Sequence, residues 1–140
     1  MSPSFSEVEV GTDLPGARFE VSRADLRAYA EASGDRNPIH LDELVARSVG
    51  LPDVIAHGML TMGLAGSVVT DWVGVAGAVL SFGTKFTAPV VVAADAPAVI
   101  EVVATVTARD EDARTVVVEL TVTSAGVTVL GRAKAVVALS

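Results

Sequence analysis

The most constraining feature of this sequence is a long apolar segment near the middle of the chain, "VIAHGMLTMGLAGSVVTDWVGVAGAVL". From about His57 to Trp72 it predicts one helix that is hydrophobic almost all round, and such a helix has to be wrapped by other structure. The segment is long enough to cross a bilayer, but His57, the interspersed glycines and the break at Asp71 favour a helix buried inside a soluble fold. We therefore expect this helix at the centre of the fold, and no membrane span.

Beyond Gly77 the apolar pattern changes to period two, which is typical of half-buried strands. A first strand is predicted around Ala78 to Thr87, and three hairpin-linked strands follow. Their inward positions are Ile100, Val102, Ala104 and Val106, then Val116, Val118, Leu120 and Val122, then Val127, Val129, Ala133, Ala135 and Val137. Val103 breaks the alternation. An antiparallel sheet with one face on the long helix buries both apolar surfaces, so the pattern predicts an α+β fold.

Helix boundaries are readable in the first third of the chain. Ser22 followed by Asp25 resembles a capping box, and Gly34 fits the far end of the helix that it begins. Pro38 then disfavours helical backbone at Asn37 and predicts an irregular loop. A second short helix is expected from Asp42 to Val49.

Composition limits the classes of function. At 140 residues the chain fits a single domain, 1–140. A net charge of -7 with scattered basic residues argues against nucleic-acid binding. The chain has no cysteine and two histidines, so we expect no disulfide, no metal and no cofactor. The start "MSPSFSEVEVG" does not have the pattern of a signal peptide, and we expect a cytoplasmic protein.

A polar cluster stands out in this apolar chain, in "ASGDRNPIHLDE". Asp35 and His40 are separated by a loop that Pro38 stiffens, and such a pair can be turned toward one point for acid/base chemistry. Asn37 offers donors and an acceptor that could hold a water or the Asp35 carboxylate. The alternative is structural: Asp35 and Asn37 are turn formers, and His40 is a partly buried cap of the next helix.

A second candidate site is "AHGML", at the predicted start of the central helix. Free backbone N–H groups there, with close approach allowed by Gly58, would form an oxyanion site for a polarised carbonyl. The alternative is that Gly58 only permits close packing and His57 is a satisfied core histidine. Met59, Met62 and Leu64 could line an acyl pocket, although such residues are more often plain core.

Together, "YAEASGDRNPIHLDE" and "IAHGMLTMGLAG" resemble the hydratase motif of the MaoC-like, hot-dog-fold dehydratases and (R)-specific enoyl-thioester hydratases. The similarity runs over nearly the full length. Within that family the chain is most similar to the catalytic, B-type subunits of mycobacterial (3R)-hydroxyacyl-ACP dehydratases. The resemblance implies a curved antiparallel sheet around one long helix, with the active site at a dimer interface.

The resemblance also implies the roles of individual residues. Asp35 and His40 become the catalytic dyad and Asn37 its helper, while Gly58, with His57 and Met59 beside it, becomes the oxyanion and substrate-binding site. The implied reaction is reversible syn hydration of a trans-2-enoyl thioester, or dehydration of the (3R)-hydroxyacyl thioester. The substrate would be carried by acyl carrier protein or coenzyme A, and net charge does not decide between them. For this choice the placement of Arg36, Arg47 or Lys85 at the tunnel mouth would matter more than the net charge.

Two other functions stay open from the sequence. One is a subunit of a heterodimeric hot-dog dehydratase that is inactive alone, or that only shapes the acyl tunnel, rather than a homodimer. The other is a thioesterase, which in hot-dog proteins usually needs a carboxylate on the central helix, and the segment from His57 to Val69 has none.

Overall fold

The computed structural model describes residues 2–140, which form one antiparallel sheet and three α-helices. The helices are α1 (Arg23–Ser33), α2 (Glu43–Ser48) and α3 (Gly58–Val73), and the strands are β1 (Ala17–Val21), β2 (Ala78–Phe86), β3 (Ala98–Asp110), β4 (Thr115–Ser124) and β5 (Val127–Ala138). The strand order is β1-β3-β4-β5-β2, so β1 and β2 are the edge strands. The predicted α+β class is confirmed.

The period-two pattern identifies the face of the sheet that packs on the core. All the inward positions predicted on β3 and β4 are buried, and Val103, which broke the alternation, lies on the opposite face and is 60% exposed. On β5 the prediction is wrong at Val127, which is exposed because it directly follows the tight turn after β4. Bulges shift the register in three strand pairs, and bulges increase the local twist of a sheet.

The edge strand β1 was not predicted. It pairs with the start of β3, from Ala17 opposite Val102 to Val21 opposite Ala98. With only five residues, and with charged side chains at Arg18 and Glu20, it has too short an alternation to identify from pattern alone. Its partner strand, rather than its own propensity, decides its conformation.

The helix boundaries agree closely with the expected ones. Ser22 and Asp25 form the capping box of α1, and Gly34 ends that helix in the left-handed region at φ 80°. Asp42 caps α2, its carboxylate accepting the N–H groups of Leu44 and Val45. Between the two helices, Pro38–His40 form a short 3₁₀ turn.

The central helix α3 contacts β2, β3, β4 and β5, as its position in the sequence pattern predicted. Its buried residues are Thr61, Ala65, Val68, Val69 and Val73. The helix is not wrapped on all sides, however, because Met59 is 59% exposed and Gly63 and Thr70 are exposed as well. Among the helices of residues 2–140, none combines the length and the apolarity needed to span a bilayer.

Candidate active site

The loop between α1 and the 3₁₀ turn is wound by its own side chains. The Asp35 carboxylate accepts the backbone N–H of Asn37 at 3.2 Å, and the Asn37 side-chain oxygen accepts the N–H of Ile39 at 3.2 Å. Asn37 thus acts as the cap of the turn that Pro38 begins. Asp35 and Asn37 are therefore turn formers, as the structural alternative expected, and Asp35 also lines a cavity.

His40 lies at the end of this turn and is buried, with 8% of its surface exposed. Its Nδ1 lies 2.7 Å from the carbonyl oxygen of Ile55. Because a carbonyl only accepts, Nδ1 must carry the proton, and in the neutral ring Nε2 is left with a free lone pair. His40 is thus held in the tautomer that suits a base, and the cap predicted for it on the next helix belongs to Asp42 instead.

His57 lies behind His40 and is 1% exposed. The two imidazole rings stack, with centroids 3.9 Å apart and planes 24° from parallel. His57 Nε2 donates to the backbone carbonyl of Asp35 at 3.0 Å, and Nδ1 has no partner within residues 2–140. Burial, opposed by this hydrogen bond and assisted by the nearby His40, lowers the pKa of His57 below its ordinary value.

The start of α3 forms the opposite wall. Gly58 and Met59 are the first two residues of the helix, and the first N–H groups of a helix have no intrahelical acceptor. The ring of Phe86, at the end of β2, packs directly on Gly58, and a Cβ at position 58 would lie 2.9 Å from it. A glycine is therefore required for this contact between helix and strand.

Between the two walls lies a cavity of about 510 Å³. Asp35 and His40 line it on one side and Gly58, Met59 and Phe86 on the other. His57 is not part of its lining, although it is one layer behind. The structure thus brings together four residues of the predicted site at one cavity, with Asn37 winding the loop and His57 supporting it.

A second cavity, of about 380 Å³, lies along α3 on the far side of Met59. Met59 lines both cavities, and Met62, Gly63, Gly66 and Phe82 line the second. Leu64 does not: it faces a separate groove against α1. Met59 is therefore the residue that separates the polar cavity from a second, more apolar cavity along α3.

The side chains of Asp35, His40 and His57 bring one possible ligand atom each within 4.8 Å of one another. A metal ion binds a histidine nitrogen in the plane of the ring, and two stacked, nearly parallel rings direct their lone pairs along separate lines. One nitrogen of each ring is also engaged by a backbone carbonyl. The cluster suits proton transfer better than metal coordination.

Sequence reasoning missed the parts of the site that come from distant segments. Phe86 forms the wall over Gly58, Tyr29 packs its ring 4.7 Å from that of His57, and Ile55 supplies the carbonyl that orients His40. Phe86 did fall at the end of a predicted strand, but nothing in the sequence placed it against "AHGML". The other two contacts have no signal in the sequence.

The architecture and this site define a class: a hot-dog fold, in which a sheet packs on one central helix whose N-terminus faces a polar loop. The MaoC like domain family matches residues 7–126, and the chain belongs to that family. A solved structure described as a MaoC-like dehydratase is 43% identical, with a TM-score of 0.95 over 99% of this chain and 43% of that one. The (R)-hydratase from A. caviae involved in PHA biosynthesis is 27% identical, with a TM-score of 0.82 over 95% of this chain and 98% of the other.

Among curated proteins, the 3-hydroxybutyryl-CoA dehydratase of Methylorubrum extorquens is 41% identical over 88 residues, which cover 61% of this chain and 55% of that protein. The match to the 3-hydroxyacyl-thioester dehydratase X of Mycobacterium tuberculosis covers 17% of that protein. The chain thus matches about half or less of the length of these curated relatives. The (3R)-hydroxyacyl-ACP dehydratase complex HadBC of M. tuberculosis, 21% identical with a TM-score of 0.69, shares the fold.

Proposed function

We propose that this chain catalyses the reversible syn hydration of trans-2-enoyl thioesters to (3R)-hydroxyacyl thioesters, and the reverse dehydration. The observation that carries the proposal is that Asp35 and His40 face the same cavity as the N-terminus of α3. A carboxylate, an imidazole and backbone donors are the groups that such a reaction needs, and the family membership and the relatives' names agree with it.

The backbone N–H groups at the start of α3, above all that of Gly58, would bind the thioester carbonyl oxygen. As the reaction proceeds, negative charge develops on this oxygen in an enolate-like transition state. Helix N–H groups are already oriented toward that charge, and the helix dipole favours it. The ring of Phe86 packs on Gly58 and forms an apolar wall beside the same point.

Asp35 and His40 would hold the reacting water at C3 of the enoyl chain. In hydration the water oxygen bonds to C3, one proton ends on C2 of the same face, and the double bond becomes single. His40 Nε2, which has its lone pair free in the neutral ring, accepts or returns a proton, and Asp35 orients the water and shares the proton transfer. In dehydration the same groups remove the C2 proton and protonate the departing hydroxyl.

The acyl chain would enter the second cavity. That space is lined largely by apolar side chains and by Gly63 and Gly66, and it begins at Met59, where the polar site ends. Its size of about 380 Å³ is room for several methylene groups beyond the thioester. The predicted acyl pocket of Met59 and Met62 is supported by this geometry.

The carrier of the thioester would be recognised at the cavity mouth by Lys85. Of the three cations named from the sequence, Arg36 is engaged by Glu31 at 3.2 Å and Arg47 lies 3.8 Å from both Glu43 and Asp53. Lys85 has no ion-pair partner within residues 2–140; it directly precedes Phe86 in β2, but consecutive side chains of a strand point to opposite faces, and Lys85 does not line the cavity itself. As the unpaired cation of the three, it is the one we propose for a carrier phosphate, which coenzyme A and acyl carrier protein both present.

We further propose that residues 1–140 act as one hot-dog domain that pairs with a second hot-dog subunit, a copy of this chain or a different one. The edge strand β2 supports this proposal, because it has a sheet neighbour on one side only and exposes Leu80 and Phe86. The partner would complete the mouth of the cavity beside Phe86. Sedimentation of the purified chain at several concentrations distinguishes a homodimer from a monomer that awaits a different subunit.

The experiment that tests the reaction is the change in absorbance of the enoyl-thioester band when the purified chain is mixed with crotonyl-CoA and with a longer trans-2-enoyl-CoA. Loss of the band, with the (3R)-alcohol as product, supports the proposal. Release of free thiol instead would identify a thioesterase. If the folded chain is silent alone and active only with a second subunit, it belongs to a heteromeric enzyme. Silence with these enoyl-CoA substrates, with the same enoyl groups on acyl carrier protein, and with added subunits overturns the proposed reaction.

A further inference from the structure

The side chain of His57 is used in an unusual way for its position. It is the N-cap residue of α3, where a side chain usually accepts an N–H group from the first helical turn. Here the side chain makes no such bond. It turns away from the helix toward the loop that carries Asp35, and only the backbone carbonyl of His57 serves α3, by accepting from Leu60 and Thr61.

The contact that His57 makes instead joins two distant segments. Its Nε2–H donates to the carbonyl of Asp35, which is 22 residues earlier in the chain. The polar contacts of the Asp35 carboxylate and amide are local, to Asn37 and Ser33. The His57 bond therefore ties the backbone of Asp35 to the wall that holds the α3 N-terminus.

The same ring also fixes His40. One face of His57 stacks on His40 at 3.9 Å, and the ring of Tyr29 packs on it at 4.7 Å. His40 in turn bonds to the carbonyl of Ile55, two residues before His57. The side chain of each histidine thus bonds to a backbone carbonyl in the segment that carries the other histidine, and the two rings are in contact.

We infer that His57 is a positioning residue for the proposed reaction, holding the Asp35 backbone and the His40 ring so that both face the cavity. This inference rests on the proposed function, and it moves His57 from the substrate-binding role expected from the sequence to one that acts through Asp35 and His40. The buried ring does not line the cavity, so it does not touch substrate. Misplacing reacting groups by as little as about 1 Å costs on the order of 100-fold in rate.

Two substitutions separate the hydrogen bond from the ring. His57→Gln places an amide N–H the same number of bonds from the backbone as Nε2, so it keeps the donor and loses the ring. His57→Phe keeps an aromatic ring against His40 and Tyr29 and loses the donor. We expect His57→Phe to lower kcat about 10- to 100-fold with little change in KM, and His57→Gln to restore most of that loss.

The opposite order of the two variants would overturn the inference, because a ring that only fills space is replaced better by Phe than by Gln. Equal activity of both variants, or a loss confined to KM, would overturn it too. The wild-type chain in the same assay keeps the two proposals apart: without wild-type turnover the proposed reaction fails, whatever the variants do. If either variant does not fold, the ¹⁵N spectrum of the wild-type imidazoles decides, since the inference requires His57 to carry its proton on Nε2 and His40 on Nδ1.

Discussion

The two walls of the larger cavity are built in opposite ways, although one substrate would touch both. The wall of Asp35 and His40 is a loop whose shape comes mainly from hydrogen bonds between residues two apart, and Asp35 itself is exposed. The wall of Gly58 and Phe86 is a helix start packed on a strand, held by the core between α3 and the sheet.

This difference shows which contacts fix the position of Asp35 and His40 relative to the start of α3. Local bonds shape the loop but do not place it relative to the helix. Its position depends on the few contacts that reach across, which include the hydrogen bonds of His40 and His57 and the backbone bond from the Ile55 N–H to the Ile39 carbonyl. The helix wall is placed by the fold itself. Substitutions in the loop should therefore lower the reaction rate more than the stability. Substitutions in the contacts that hold the surrounding segments together, such as those of Arg23, should do the reverse.

The largest effect is expected at the loop wall. Asp35→Asn keeps the shape of the side chain and its turn-forming oxygen but removes the negative charge, so we expect turnover to fall about 100- to 10,000-fold with little change in melting temperature. Steady-state hydration of crotonyl-CoA measures the first and thermal unfolding the second. Asp112→Asn removes the same charge from the exposed turn between β3 and β4 and serves as the control. Near-normal activity of Asp35→Asn would remove Asp35 from the site.

The helix wall is tested by Gly58→Ala. The added methyl lies 2.9 Å from the Phe86 ring and beside the N–H that would bind the thioester oxygen. Because Phe86 is 56% exposed, its ring can rotate away at small cost in stability. We expect kcat/KM to fall about 10- to 100-fold through misplacement of the carbonyl. If combining it with Phe86→Ala restores full activity, the methyl acts by crowding Phe86 and not by blocking the N–H.

The contacts that hold the segments around the loop together are tested by Arg23→Met. The Arg23 side chain donates to Asp53 at 2.7 Å, to Glu43 at 3.3 Å and to the carbonyl of Val92 at 3.0 Å, joining the start of α1 to three segments that follow the loop. Removing it takes the side-chain donor from the Val92 carbonyl and leaves Arg47, 3.8 Å away, as the cation paired with Asp53 and Glu43, and we expect the free energy of unfolding to fall by about 1–3 kcal/mol. Denaturant titration measures this loss.

Arg27→Met, on an exposed position of the same helix, is the matched control and should change stability by less than about 0.5 kcal/mol. Equal losses in the two variants would show that the Arg23 contacts do not stabilise the fold.

The second cavity, proposed to hold the acyl chain, is tested by Gly63→Leu. A Cβ at Gly63 would meet no atom within 4 Å outside its own stretch of helix, and Gly63 lines the second cavity, so we expect a leucine side chain there to occupy that cavity. We expect kcat/KM for a long enoyl-CoA to fall about tenfold more than for crotonyl-CoA, since a few buried methylenes would be excluded. Gly63→Ala, which adds little volume, should instead raise stability by about 0.5–1 kcal/mol. A uniform loss for all chain lengths would place the acyl chain elsewhere.

The smallest effect is a pH dependence of stability from the buried ring of His57, behind the loop wall. Asp35, His40 and Tyr29 face His57, and burial holds its pKa below the ordinary 6.5. Since the unfolded chain then binds the proton more readily, this contribution to stability is fully present above pH 6.5 and is lost as the pH falls below it, down to the folded pKa. Unfolding titrations between pH 7 and pH 5 should show a shallower slope for His57→Gln. An unchanged slope would show that His57 titrates alike in both states.

The sequence alone determined the elements whose signals are local. The capping pair Ser22 and Asp25 and the left-handed Gly34 bounded α1, and period-two apolar residues predicted β3, β4 and β5, because each signal acts within a few residues. The polar loop was also readable, since Pro38 and the side chains of Asp35 and Asn37 shape it by themselves.

Tertiary structure decided everything that joins distant segments. Strand β1 exists because β3 pairs with it, and Phe86 reaches Gly58 because the sheet returns the end of β2 to the start of α3. His57 could be named from the motif, but its role could not, since the same residue can cap a helix, fill a core or hold a loop. Which of these it does depends on the acceptor that the fold places within hydrogen-bonding distance, and a hydrogen bond across 22 residues leaves no periodicity in the sequence.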